Sequence, residues 1–357
     1  MLNASAVRSM AISLAAVILA LMTAALLLAA AGQNPFVSFA GLLDTAFGSS
    51  FAIGTTLMKT LPRLLPALGI ALALWAGLWN IGAEGQIHVG AAACVAIALF
   101  GPELPFPIGT TLALAAAMIV GAAWAAIPGG LRAYRGISEV ITTLMMVYVA
   151  IHLTNYLIEE PWLVANSTWP ATAMVPRPFR LPIVWSGTLV NAGIFVAIFA
   201  VLLFGFIIAR TTFGLSLRAV GGNERASEVM GLPNRLLIVM ALAVSGAFAG
   251  LAGGIEVLGI RGRLLEGFSP GYGFEAIAIA LLGRLNPFGI VAAALLFGAL
   301  DAGAAGLQVA SAGISSAIAP VIEGLAVAYL LAGLGIAGIV SRRREARSAL
   351  AHASAKP

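Results

Sequence analysis

The densest set of polar side chains lies in Leu78-Trp-Asn-Ile-Gly-Ala-Glu-Gly-Gln-Ile-His-Val-Gly90, where Asn80, Glu84, Gln86 and His88 interrupt an apolar stretch. Two amides, a carboxylate and an imidazole can hydrogen-bond a polar solute. Gly82, Gly85 and Gly90 between them let the backbone leave helical geometry. In an apolar setting such groups are costly and must face a cavity or another helix. Irregular backbone there is tolerated only beside protein or water. The expectation is a discontinuous element bordering a solute path, with Asn80, Glu84, Gln86, His88, Asn155 and Trp79 as its contacts. The competing reading is a polar turn between two helices.

A second set lies in Arg210–Arg235, the longest predicted cytoplasmic loop. Asn223 can cap a short helix with Glu224 in its first turn, Gly231 can end it, and Pro233 stops continuation. The segment Arg218–Gly231 is expected to form one short helix that docks on a soluble partner. Ala219, Val220, Ala226, Val229 and Met230 would supply its apolar contacts, and Arg218, Asn223, Glu224, Arg225 and Glu228 its polar rim.

Other chemistry is missing from the sequence. There is no G-x-x-x-x-G-K-[ST], and Lys59, one of two lysines, follows Met58. No HExxH occurs, and His88, His152 and His352 are too dispersed for a metal site. His152 and Ser245 lack a nucleophile-elbow context. Cys94 is the single cysteine and reads as a small packing residue. No catalytic residue, metal site or cofactor is expected on this chain.

The elements that position these residues follow from composition. Of 357 residues, 61% are hydrophobic and 9% charged, against about 45–50% and 25% in soluble domains. A water-soluble enzyme and a nucleic-acid-binding module are excluded. The fold class is all-α, a polytopic membrane protein of about ten crossings with broken helices, since each crossing needs about 20 apolar residues. Apolar runs are readable at 11–31, 63–80, 86–101, 106–127, 138–158, 188–209, 236–258, 288–307 and 316–340, with a shorter one at Phe274–Leu285. The first is too long for a secretory-signal core and reads as a retained span. Residues 32–60 read as an external loop with a surface helix. Pro161, Pro170, Pro176, Pro178 and Pro182 make 159–187 an external loop. The expected organisation is one transmembrane domain over 1–341, with 210–235 as its cytoplasmic loop, and a basic tail over 342–357.

Cations set the orientation. With the N-terminus inside and Phe274–Leu285 crossing, thirteen lie inside: Arg8, Arg132, Arg135, Arg210, Arg218, Arg225, Arg235, Arg284, Arg342, Arg343, Arg344, Arg347 and Lys356. Six lie outside: Lys59, Arg63, Arg177, Arg180, Arg261 and Arg263. Both termini are thus expected in the cytoplasm. Glu139, Glu256, Glu275, Asp301 and Glu323 remain as acids within apolar runs.

Four blocks resemble permease subunits of ABC importers in the nucleoside and simple-sugar branch, related to branched-chain amino acid and ribose permeases. They are Gly77–Gln86, Gly136–Met145, Arg218–Leu232 and Gly271–Pro287, in the expected order across residues 60–335. Glu275, Gly222 and Ser227 depart from the usual pattern. The resemblance implies a partner ABC ATPase that uses ATP and Mg, a second permease subunit (homologous or identical), an external solute-binding protein and a plasma (inner) membrane setting. Arg218–Gly231 would then be the coupling segment. A nucleoside ranks ahead of a simple sugar, with Trp75, Trp79 or Trp162 as an aromatic wall. The runner-up is an ion-coupled secondary transporter using Glu84, Asp301 and Glu323. A channel would need a repeated pore-lining ring, and none is visible.

Overall fold

The computed structural model describes residues 4–164, 169–310, 320–330 and 332–333. Its helices are α1 (Ala4–Ala30), α2 (Pro35–Phe47), α3 (Ser50–Trp75), α4 (Ala83–Phe100), α5 (Ile108–Arg135), α6 (Glu139–Glu159) and α7 (Gly193–Arg210). Then come α8 (Thr212–Gly222), α9 (Glu224–Val229), α10 (Asn234–Ile255), α11 (Tyr272–Leu282), α12 (Pro287–Ala310) and α13 (Pro320–Leu330). Among the described residues there is no strand, only two isolated bridges. Eight described helices are long and apolar enough to cross a membrane, and α2, α11 and α13 are shorter apolar helices. The protein is an all-α polytopic membrane protein. Within the expected span 316–340, residues 320–330 form α13 and 332–333 are helical, while its other residues and the 342–357 tail lie outside the described residues.

One expectation is corrected. Residues 32–60 are not a loop with a surface helix, because α2 fills 35–47 and α3 starts at Ser50. The Ser49 side chain accepts from Ala52 N at 3.1 Å and caps α3, whose interior holds Lys59, Pro62, Arg63 and Pro66. Charges and prolines read as breaks in the sequence. The helix runs through them because both cations find carboxylates, described below.

The chain divides into two compact units, Ala46–Ala302 and the terminal stretches Met1–Thr45 with Gly303–Pro357. In the terminal unit, Thr23 Oγ1 and the Tyr329 hydroxyl lie 2.8 Å apart. In the larger unit α10 is central and packs on α5, α4 and α3. Its Gly246-Ala-Phe-Ala-Gly250 repeat makes this possible. A Cβ at Gly246 would sit 2.3 Å from the Gly121 carbonyl oxygen, and one at Gly250 2.2 Å from that of Ala117. Small residues four apart let membrane helices approach until their backbones touch.

Two helices of this unit are incomplete. α4 starts only after the irregular residues 76–82, and α11 follows the irregular residues 262–271. With 11 residues, α11 is about 16 Å long, too short alone for a hydrocarbon core of about 30 Å. It turns at Gly283–Asn286 into α12, and Trp75 Nε1 donates to the Leu285 carbonyl of that turn at 3.3 Å. Between 159 and 192 the described chain has one 3-10 turn, Arg177–Phe179, and packs its backbone along 258–265: Thr172 N donates to Leu264 O at 3.0 Å and Leu181 N to Leu258 O at 3.0 Å.

Candidate functional site

The beginnings of α4 and α11 meet. A Cβ on Gly273 would lie 2.2 Å from Glu84 N, so only glycine permits this contact. Glu84 Oε2 accepts from Gly273 N at 2.7 Å, which places the carboxylate on the first turn of α11 while it sits in the first turn of α4. Helix N-termini carry partial positive charge, and two of them converge on one buried carboxylate. Glu84 Oε1 stands 3.6 Å from His88 Nε2, one turn along α4. The His88 ring packs 4.7 Å from that of Phe268, and its buried Nδ1 has no protein partner.

Beside this point lies an ion-pair network that the sequence did not disclose. Arg63 has a side chain 3% exposed. Its Nε donates to Glu275 Oε2, its Nη2 lies 2.9 Å from Asp301 Oδ2, and its Nη1 donates to Lys59 O at 2.7 Å. Lys59 Nζ reaches the other Asp301 oxygen at 3.0 Å, and the Arg63 guanidinium covers the Tyr272 ring at 4.7 Å. After α10 the helix widens into a π-turn, Glu256–Arg261, in which Arg261 Nε bonds Glu256 Oε1 at 2.9 Å. The second oxygen, Glu256 Oε2, is buried without a partner. Single π-turns within α-helices are frequent at functional positions. Three cations thus answer three carboxylates inside apolar helices. Lys59, Arg63 and Arg261, counted above as outer-loop charges, belong to membrane helices. The available signal was the i, i+4 spacing of Lys59 and Arg63 in α3 together with acids in other apolar runs that needed partners.

Asn80 and Gln86 are turned toward each other. Asn80 Nδ2 donates to Gln86 Oε1 at 2.9 Å and to Ser245 Oγ at 2.8 Å, while Gln86 Nε2 donates to Asn80 Oδ1 at 3.0 Å. All three residues are 1% exposed. They clamp the irregular 76–82 segment to α10. Trp79 is half-exposed, and its N–H points at Glu139 Oε1 at 3.5 Å. Asn155 lies on α6 apart from this group, with its Oδ1 buried and unpartnered.

The expected coupling segment is two helices, not one. α8 ends at Gly222, and the extended Asn223 caps α9, its Oδ1 accepting from Arg225 N at 3.0 Å and Ala226 N at 2.9 Å. Gly231 takes φ +82° after the last turn. The Asn223 start and Gly231 stop stand as expected, but the cap interrupts the continuous helix expected across Arg218–Gly231. Val220 is buried, because Gly221 beside it packs on Trp75 O and Gly77. Arg218, Asn223, Glu224, Arg225, Ala226 and Glu228 are exposed and Ala219 half-buried. Val229 is 86% and Met230 68% exposed at the tip.

Residues 52–340 match the family model described as branched-chain amino acid transport system / permease component. The chain belongs to this permease family. The permease is 35% identical over 343 residues to the guanosine ABC transporter permease protein NupP of Bacillus subtilis, covering 94% of this chain and 96% of that one. It is 33% identical to the glucose ABC transporter permease protein TsgB13 of Haloferax volcanii (88% and 85% covered). It is 32% identical to the nucleoside ABC transporter permease protein NupB of Lactococcus lactis (84% and 85%). No solved structure matches. The match encloses the α4–α11 contact, the ion-pair network and α9. The permease is therefore a multi-pass membrane subunit of an ABC importer, a non-catalytic class.

Proposed function

We propose that this permease moves a nucleoside into the cytoplasm, past the point where α4 and α11 begin. The observation that carries the reading is the convergence of two interrupted helices on Glu84, beside the unpartnered His88 Nδ1 and Glu256 Oε2. Interrupted helices whose N-termini meet are where transporters hold polar solutes. A nucleoside brings hydroxyls for these groups and a base with a π face for His88, Phe268 or Tyr272. Similarity to a guanosine permease over 94% of the chain and to a nucleoside permease over 84% supports this solute class, and the likeness to a glucose permease over 88% keeps a simple sugar as the second reading. Asn80 and Gln86 would act from behind, by fixing the segment that leads into Glu84. Trp79 and Asn155 would border the path nearer its ends.

Energy would come from a separate ABC ATPase using ATP and Mg, seated against α9 with Val229 and Met230 as apolar anchors. No cofactor is needed on this chain. A second permease subunit, an external binding protein and the inner membrane complete the assembly, with both termini in the cytoplasm. ATP binding to the partner would bias an outward-open against an inward-open state. The test is ATP-dependent uptake of tritiated guanosine by proteoliposomes containing the complete importer, purified through a tag on this chain. Uptake competed by unlabelled nucleosides, and not by glucose, is expected. An importer that takes up glucose and ignores guanosine overturns the solute class.

A further inference from the structure

Arg132 stands in the last turn of α5, away from both the α4–α11 contact and the exposed tip of α9. Its Nη2 lies 3.3 Å from Glu224 Oε2, in the first turn of α9, and its Nε 3.3 Å from Glu139 Oε2, in the first turn of α6. The other Glu139 oxygen faces the Trp79 N–H at 3.5 Å, the outer limit of a hydrogen bond. Trp79 precedes Asn80, and Asn80 holds Gln86 and Ser245. A continuous polar chain therefore runs from α9 through Arg132 and Glu139 to the segment that enters α4 and Glu84.

Three observations make this chain more than a surface ion pair. Among the described residues, Arg132 is the one group outside 211–235 that forms a hydrogen bond or ion pair with α9. α9 is otherwise tied to its own neighbours, through Asn234 Nδ2 to Glu224 O at 2.6 Å and through the Ser227 hydroxyl, 3.0 Å from Asn234 Oδ1. A cleft of about 210 Å³ lies beside the bridge, lined by Gly77, Leu78, Arg132, Val220 and Glu224 among others. It leaves space into which α9 or the 76–82 segment can shift. The Arg132 side chain is 31% exposed and Glu139 12%, so that half of the bridge is partly shielded from solvent, while Glu224 at 50% is open to it.

We propose that Arg132 is a positioning residue for energy coupling: it carries displacement of α9 to the Trp79–Asn80 segment through Glu224 and Glu139. The inference rests on the reading that α9 seats the ATPase. Arg132 does not touch solute or the ATPase tip; it fixes the geometry between them. Coupling of this kind needs a physical element biased by both ends, and here the element is an ion-paired three-residue bridge.

The test uses the complete importer with a cysteine placed at Trp79, which is half-exposed, while the native Cys94 is fully buried and unreactive. Maleimide labelling of position 79 is timed with and without ATP and vanadate. In the parent complex trapping is expected to change the labelling rate by about fivefold or more, the lower range of measured site-to-site couplings. In Arg132→Gln and in Glu139→Gln the change should shrink to less than about twofold, with the ATPase still co-purifying. The double variant should be no worse than either single one, because both cut the same link. An unchanged ATP response in Arg132→Gln overturns the relay, and so does a parent complex with no ATP response at position 79. Loss of the ATPase from Arg132→Gln places the residue in docking and also overturns it. The docking reading is tested apart from this by Val229→Asp: if that variant keeps its ATPase, the docking reading falls whatever Arg132 does.

Discussion

Replacing Arg63 by methionine removes the cation at the centre of the ion-pair network while keeping an unbranched apolar stem. Arg63 is 3% exposed, Glu275 22% and Asp301 31%. Lys59 remains 3.0 Å from Asp301, so that carboxylate keeps a partner and Glu275 becomes the orphan. Breaking a buried pair from one side costs about 3–5 kcal/mol. Partial exposure of Glu275 puts the loss at the lower end, near 3 kcal/mol. At roughly 2 °C per kcal/mol for a chain of this size, the midpoint should fall by about 6 °C. Removing the orphan charge too, in Arg63→Met with Glu275→Gln, should restore most of that fall, since the cost lies in an unpaired buried charge. The protein supplies its own probe: Cys94 is the single cysteine and fully buried, so a fluorogenic maleimide reports unfolding. A single variant that melts with the parent, or a double variant no better than the single, would refute the argument that these charges are paired within the fold.

Gly250→Leu drives a side chain into the Ala117 carbonyl, which a Cβ alone would meet at 2.2 Å. Overpacking of this kind costs about 1–3 kcal/mol or more, and the expected outcome is a lowered Cys94 melting midpoint with reduced folded yield. Val229→Asp and Met230→Asp alter the exposed tip of α9. Each should weaken ATPase retention on co-purification by roughly five- to thirtyfold, as loss of about 1–2 kcal/mol implies, with an unchanged melt.

Much of the fold was legible because apolar run length is a strong signal. The helices α4, α5, α6, α7, α10 and α12 lie close to the runs read from the sequence. α3 was misjudged for a physical reason. Pro62 and Pro66 break a helix in water and Lys59 and Arg63 interrupt an apolar run, whereas in a membrane helix neighbours re-satisfy the backbone and distant carboxylates neutralise the cations. Pairing of this sort joins residues more than 200 positions apart, and hydropathy windows cannot see it. At the α4 motif the polar cluster was visible, but the division of labour within it was not. Asn80 and Gln86 satisfy one another, while Glu84 bonds a backbone N–H from α11. The Asn223 cap and the Gly231 stop were local signals and were read correctly. The break between α8 and α9 follows from the same cap, because the extended φ of −162° at Asn223 cannot continue a helix.

The account's central claim is that solute passes Glu84 where α4 and α11 meet. It is tested most directly by ATP-driven uptake of tritiated guanosine in proteoliposomes, comparing the parent importer with Glu84→Gln. The amide keeps the shape and can still accept from Gly273 N, so folding and ATPase retention should be preserved. Uptake should fall about tenfold or more, equivalent to about 1.4 kcal/mol added to the rate-limiting barrier. Parental uptake by a Glu84→Gln importer with a normal melt and a full complement of ATPase would contradict the claim.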